Sequence, residues 1–581
     1  MRLPSLIIRA ALLICFLTAN AFAQVPLEPA QLPSRTIFYF IWHGAPAGDI
    51  RKTNSLTSLW DDPDFAPARA AMANAMLNNS KQQKEHPGMS REEIANYATL
   101  LDNPFTIGYL PREGFTPKPA AANSAGATLP SVPAWNGMFL VYDRSGKEEL
   151  LSKAVLRVRA SSGTDIPHLT EITVAGVKAL KVERKSSTNY WAETGKYAVS
   201  ASEPAVFEEV LNRLAGKTSG GSLADSDAYR EAKPLLSGGI VEFFLRVPQI
   251  RDVAGDSDSA SPQMKAIWDG IRLDAIHAFA GHVSLEGART RLQGAILGNT
   301  AEGSLFDVWS AGQAQPESLA YVAPDTVYYN ESQISLLGIY NVLKRALTQP
   351  GSNSAPLVTT IESSVQTRIG MTLPDAFALT SGEVGSLQTS PTLDPDKKIF
   401  FAGIRNKPEA LKLMRTILSD RITSQHDEGN ITYLKVSLKG NQGATGVAQW
   451  NFYHLAMTPN LLLGASKAEA LHATLAQAAT PGAASFPANL KAARSLFPAQ
   501  LNGFSYFDLQ RLDWPALKQR WSEQAVKSAA TAKSTDAEQK AKQLNDWLTN
   551  VNPAVFPRHL HSMTGASWKD ATGVHFDEWV D

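Results

Sequence analysis

The feature that most constrains this chain is an internal correspondence: landmarks in its first half return in the same order in its second, at offsets that change where an insertion is visible. Leu32-Pro33 with Thr36-Ile37-Phe38-Tyr39 is matched by Ala323-Pro324 with Thr326-Val327-Tyr328-Tyr329, the prolines standing 291 residues apart. Both read as an opening strand after a proline. Asp102 with Phe105 is matched by Asp375 with Phe377, the phenylalanines 272 apart, and Met138-Phe139-Leu140 by Ile399-Phe400-Phe401 at 261. The fall from 272 to 261 assigns a longer connection to the first half, which the Pro/Ala/Ser/Gly-rich stretch Arg112 to Pro133 supplies.

Helix starts correspond as well. Ser145-Gly-Lys-Glu148 and Asn406-Lys-Pro-Glu409, again 261 apart, each set a capping side chain three residues before a glutamate. Asn189-Tyr190-Trp191 is matched by Asn451-Phe452-Tyr453 at 262, and strand-like Tyr197 to Ala201 by Leu461 to Ala465 at 264. Each of those strands leads into a helix: Val206, Phe207, Val210, Leu211 and Leu214 make one apolar face between Pro204 and Gly216, and Ser466-x-x-Glu469 caps a helix carrying Leu471 and Leu475. Val241 to Val247 alternates as a half-buried strand, with Phe243-Phe244 placed 263 before Tyr506-Phe507. His277 with Gly281 is matched by His561 with Gly565 at 284; the extra residues coincide with the Ala/Lys/Gln-rich segment Ser522 to Asp546, read as an added helix or flap.

The expected fold is therefore α+β, built as two tandem units, 24–312 and 313–581, each mainly antiparallel sheet with helices packed on one face. Short strands joined by Gly and Asn turns carry the sheet assignment, and the order of the strands is left open. The join falls near Gly298 to Pro316.

Residues 1–23 read as a secretory signal peptide: Arg2 and Arg9 flank an apolar run, and Ala21-Phe22-Ala23 offers small residues before Gln24. The expected location is periplasmic or extracellular. The only cysteine, Cys15, lies inside that segment, and bulky Leu13-Ile14 before it disfavours a lipid anchor. A mature chain without thiols excludes disulfides, thiolate metal sites and cysteine nucleophiles. No later segment offers about 18 consecutive apolar residues, so no membrane span is expected. With 55 basic and 55 acidic side chains over the whole chain, and two of the basic ones in the leader, there is no electrostatic case for nucleic acid.

Motifs for chemistry are sparse. Gly216-Lys217-Thr218 resembles the end of a phosphate loop, but Leu211 stands where that motif needs glycine, and Gly216 reads as a helix C-cap. Gly440, Gly443 and Gly446 fit a hairpin loop. His559 and His561 would share one face of a strand, near the counterpart of His277 and His282, yet the pairs differ in spacing and no metal or cofactor is expected. Asp102 and Asp375 read as turn residues. Adjacent aromatics in a strand point to opposite faces, so Tyr190 or Trp191, and Phe452 or Tyr453, are the candidate ligand-binding residues, as platforms for a glycan or peptide.

The leader, the opening strands at Pro33 to Thr36 and Pro324 to Thr326, and Asp375-Ala-Phe377-Ala-Leu-Thr-Ser-Gly382 together resemble exported bacterial proteins carrying a duplicated domain of unknown function. The resemblance implies an envelope or secreted location and transfers no catalytic residue. Three function classes follow: a non-catalytic envelope protein holding an unknown ligand or partner in a cleft between its units, a cell-envelope hydrolase using dispersed carboxylates, and a periplasmic folding or assembly factor. The first is preferred because no nucleophile, base or metal motif is assembled in the sequence.

Overall fold

The computed structural model describes residues 25–46, 48–78, 99–111, 137–153, 168–184, 187–217, 220–247, 262–310, 312–352, 354–437, 453–479, 488–532 and 534–581. The leader, Cys15, the Arg112 to Pro133 connection, the Gly440 to Gly446 run and Phe452 lie outside the described residues.

Among the described residues, twenty strands form one sheet. The first ten are β1 (Phe38–Trp42), β2 (Phe105–Tyr109), β3 (Met138–Asp143), β4 (His168–Val174), β5 (Val177–Glu183), β6 (Thr188–Thr194), β7 (Tyr197–Ala201), β8 (Val241–Arg246), β9 (Ile276–Glu286) and β10 (Arg289–Gly298). The remainder are β11 (Tyr328–Gln333), β12 (Thr380–Gln388), β13 (Lys398–Ile404), β14 (Ile422–Glu428), β15 (Ile431–Val436), β16 (His454–Met457), β17 (Leu461–Ala465), β18 (Gly503–Asp508), β19 (Ser562–Lys569) and β20 (Gly573–Val580). Hydrogen-bonded neighbours run β4-β5-β6-β7-β3-β2-β1-β8-β9-β10 and continue β20-β19-β18-β11-β12-β13-β17-β16-β15-β14, all antiparallel. The seam between the two runs is a full ladder, Thr290 against Val580 through Leu297 against Gly573. Charged and polar side chains dominate the edge strands β4 and β14, as open edges require.

The helices are α1 (Asp49–Thr53), α2 (Ser55–Asp61), α3 (Ala66–Asn78), α4 (Pro204–Leu214), α5 (Asp227–Ala232), α6 (Pro262–Ile271), α7 (Leu336–Thr348), α8 (Ala355–Ile369), α9 (Leu373–Ala378), α10 (Lys407–Leu418), α11 (Ala468–Ala479), α12 (Ala488–Arg494), α13 (Trp514–Ala530), α14 (Thr535–Asn550) and α15 (Phe556–His559). No helix among the described residues is long and apolar enough to cross a membrane.

Helices cover both faces of the sheet, where the sequence pattern had suggested one. The reason lies in strands buried on both sides, such as β1: Tyr39 and Ile41 enter a core with Val206, Phe207 and Val210 of α4, whereas Trp42 enters a different core on the other face. On the first face, α4 and α5 cover β1 to β10, and Tyr329, Phe401 and Leu463 meet Leu471, Leu475 and Leu490 of α11 and α12 in a separate core. On the second face, one core draws on both runs of strands: Trp42, Leu56, Phe65 and Val241 pack with Phe507, Leu517, Val551 and Val555.

That shared core results from an exchange of helices. α14, which follows β18, packs on α3, and α15 packs on α2; in the opposite sense α6, which follows β8, packs on α7. The Ser522 to Asp546 segment thus lies in two helices, α13 and α14, which pack on each other, with α14 seated on α3 of the other run. Element identity departs from the sequence correspondence at Phe377: Phe105 begins β2, but Phe377 is in α9, where Thr372 caps the first turn and accepts from Asp375 N–H. The Asn406 cap is formed as expected, its side chain accepting from Glu409 N–H at 3.2 Å. Ser145 instead bonds Asp143 Oδ1 through both N–H and hydroxyl.

Candidate functional site

Along β9, β10 and β20 the second face carries two apolar caps, with positions between them that belong to neither cap among the described residues. Val283, Leu292 and Val580 lie under the shared core, while Ile296 and Val574 lie under Phe306 and Trp309. Side chains two apart share a face, so Gly281, Gly294, Phe576 and Glu578 fall between the caps. A single row in register crosses the sheet there: Phe40, Phe243, Gly281, Gly294, Phe576, Ser567, Gly503, Ser332. It passes over the β10–β20 seam in the strip between the two caps, which we call the groove.

The floor is flat because glycines lie under rings. A β-carbon at Gly281 would stand 2.5 Å from Phe243 Cζ, and one at Gly294 would stand 2.5 Å from Phe576 Cζ. No side chain fits beneath those rings without displacing them. Phe279 bridges the pair, its ring centroid 5.2 Å from that of Phe243 and 5.9 Å from that of Phe576. Phe40 stacks on Phe105 at 6.0 Å. Phe40, Phe243, Phe279 and Phe576 are all half-buried, which leaves ring surface accessible.

Beyond the seam the row changes character. Ser567, Ser332, Ser505 and Asn330 are half-buried hydroxyl and amide groups, with Glu578 beside them. Asn330 Oδ1 accepts from the Ser386 hydroxyl at 2.7 Å. At the far end Lys398 Nζ lies 4.7 Å from the centroid of Phe400, whose ring is exposed, and burial lowers the lysine's pKa below its ordinary value. The groove therefore offers rings on one side and hydrogen-bonding groups on the other.

The expected platform aromatics that lie among the described residues, Tyr190, Trp191 and Tyr453, are not brought together. Tyr190 is buried, its ring 5.8 Å from Phe207 under α4. Trp191 points to the opposite face and packs half-buried against the shared core. Tyr453 is exposed and extends the ladder, its N–H donating to Ala465 C=O and its C=O accepting from Val436 N–H. Strands β6 and β16 lie toward opposite ends of the sheet, so no shared surface can include both.

The histidines also separate. His559 ends helix α15, so it does not share a strand face with His561 as expected, because Pro553 and Pro557 start short helical turns there. His277 Nδ1 lies 3.1 Å from Glu231, and His282 Nδ1 lies 2.8 Å from Leu235 C=O. Among the described residues no group of three or more His, Cys, Asp or Glu converges. Asp102 accepts from Lys147 Nζ at 3.0 Å.

The groove residues were beyond sequence reading because eight strands from distant segments supply them. The one available signal was glycine inside strand patterns, at Gly281, Gly294 and Gly503. The chain matches no protein-family model, no curated protein and no solved structure.

Proposed function

We propose that this is an exported, tandemly duplicated binding protein whose ligand lies in the groove across the β10–β20 seam, where binding is non-catalytic. The duplication is supported by strand order: every pairing among β1 to β10 recurs ten strands later among β11 to β20. The leader sequence supports export, and a periplasmic fraction with the chain beginning at Gln24 is the expected outcome of N-terminal sequencing. No transmembrane helix, nucleic-acid partner or cofactor enters this reading.

The observation that carries it is the Phe243–Phe279–Phe576 ladder laid over Gly281 and Gly294. Rings held half-exposed in a fixed plane forgo part of the burial that a core would give them, about 25 cal/mol for each Å² left open. With Ser332, Ser505, Ser567 and Asn330 following, the groove fits an elongated ligand with an apolar part and a hydrogen-bonding part. A naphthyl fluorescence probe titrated into the mature protein should brighten and be displaced by single-chain amphiphiles, while Phe279→Asp should weaken binding at least tenfold with an unchanged far-UV circular dichroism spectrum. Equal probe binding by Phe279→Asp and the parent would eliminate the groove as the seat.

A further inference from the structure

Outside the groove, three groups converge where α2 meets α15. Ser58 is in α2, Asp62 follows that helix and caps the next turn, and His559 closes α15. Ser58 Oγ is 2.9 Å from His559 Nδ1, and His559 Nε2 is 2.8 Å from Asp62 Oδ2. Asp62 Oδ1 also accepts from Asp64 N–H at 2.8 Å, and Arg558 stands 3.2 Å from Oδ2. Burial pulls the Asp62 carboxyl upward, and the hydrogen bonds from His559 and Asp64 with the charge of Arg558 outweigh it, so its pKa is held below the usual carboxylate range.

An ionised Asp62 accepts from Nε2–H and thereby fixes the imidazole tautomer. The Nδ1 lone pair then faces the Ser58 hydroxyl. Hydroxyl, imidazole and carboxylate are linked in the order of an acyl-transfer set, with the two ring nitrogens exchanged relative to the usual arrangement. Sequence distance hides it, since Ser58 and His559 are 501 residues apart.

We propose that Ser58 is an activated nucleophile toward esters with good leaving groups, with His559 as its base and Asp62 as a positioning residue. In the forward step Ser58 Oγ bonds to the carbonyl carbon while its proton passes to His559 Nδ1. The ester C–O bond then breaks and the leaving oxygen takes that proton. Water repeats the attack, releases the carboxylic acid and restores the serine hydroxyl, so no co-reactant is needed.

The local backbone explains the restriction to activated esters. Ser58 N–H donates to Asn54 C=O at 2.9 Å, so it does not serve as an oxyanion donor. Each missing donor of that kind costs about 10²–10³ in rate. Ser58 Oγ also lies 3.2 Å from Ser55 C=O, a competing acceptor that lowers the fraction of hydroxyls directed at His559.

The test is to incubate the mature protein with a fluorophosphonate probe and to map the adduct by mass spectrometry, with p-nitrophenyl acetate hydrolysis read alongside. The expected result is slow labelling confined to Ser58, absent in Ser58→Ala and at least tenfold slower in His559→Gln, with urea midpoints retained. Asp62→Asn should also shift the pH profile of labelling, which a merely structural carboxylate would not do. No adduct at Ser58, or an undiminished rate in His559→Gln, overturns the proposal. Neither result bears on probe binding in the groove.

Discussion

Gly270 of α6 lies directly against Ala346 of α7: a β-carbon at Gly270 would stand 2.3 Å from Ala346 Cα. The two helices exchange across the molecule at this contact, and backbone leaves a side chain nowhere to go. Gly270→Val should cost about 1–3 kcal/mol by overpacking, read as a lowered urea midpoint with unchanged slope. A midpoint equal to the parent's would show that α6 can shift off α7 at no cost.

Because helices are exchanged in both directions, residues 25–310 and 312–581 should not behave as separable domains. Made as two polypeptides, each should lack a cooperative thermal transition, and mixing should restore one. The intact chain should melt in a single calorimetric transition. Two well-resolved transitions would contradict the shared core of Trp42, Leu56, Phe507, Leu517 and Val551.

Arg494 Nη1 lies 2.5 Å from buried Glu331, which also accepts from the Tyr329 hydroxyl at 2.6 Å. Burial raises the Glu331 pKa above its ordinary value, against the pull of Arg494 and Tyr329. A carboxyl whose pKa is raised in the folded state holds its proton more tightly there than in the unfolded chain. Its contribution is fully present below the unfolded value of about 4.3 and is lost as pH rises through the folded one. Arg494→Met strands the charge and should cost about 3–5 kcal/mol at pH 7, with a smaller deficit at pH 5. Equal deficits at both pH values would rule out the stranded carboxylate as the cause.

Asn406→Ala should lower stability by about 1 kcal/mol through loss of the cap on α10, whereas Asn406→Asp should be nearly neutral. Chemical denaturation of both variants checks the pair.

Local signals in the sequence survived best. The Asn406 cap, the Pro204 start of α4 with its face of Val206, Phe207, Val210 and Leu211, and the Val241 strand all stand where residue chemistry put them, and the antiparallel α+β class follows from them. What failed depended on partners. Asp375-Ala-Phe377 resembles the approach to β2 but is helical, because Thr372 caps it and Pro374 suits a first turn. Which of Tyr190 and Trp191 turns inward also depends on a partner: Tyr190 packs beside Phe207. The groove was invisible because its floor is a row across strands, and strand order cannot be read from periodicity within any one of them.

The helix exchange has a consequence in time. The Thr290 hydroxyl donates to Asn54 at 3.1 Å, tying α2 to β10, and α2 in turn meets His559 of α15. Every such tie closes a loop of hundreds of residues, an entropic charge met before most of the burial is won. The chain should find its fold slowly and, once the ties are closed, abandon it slowly, so that its lifetime would be set by a barrier more than by an equilibrium.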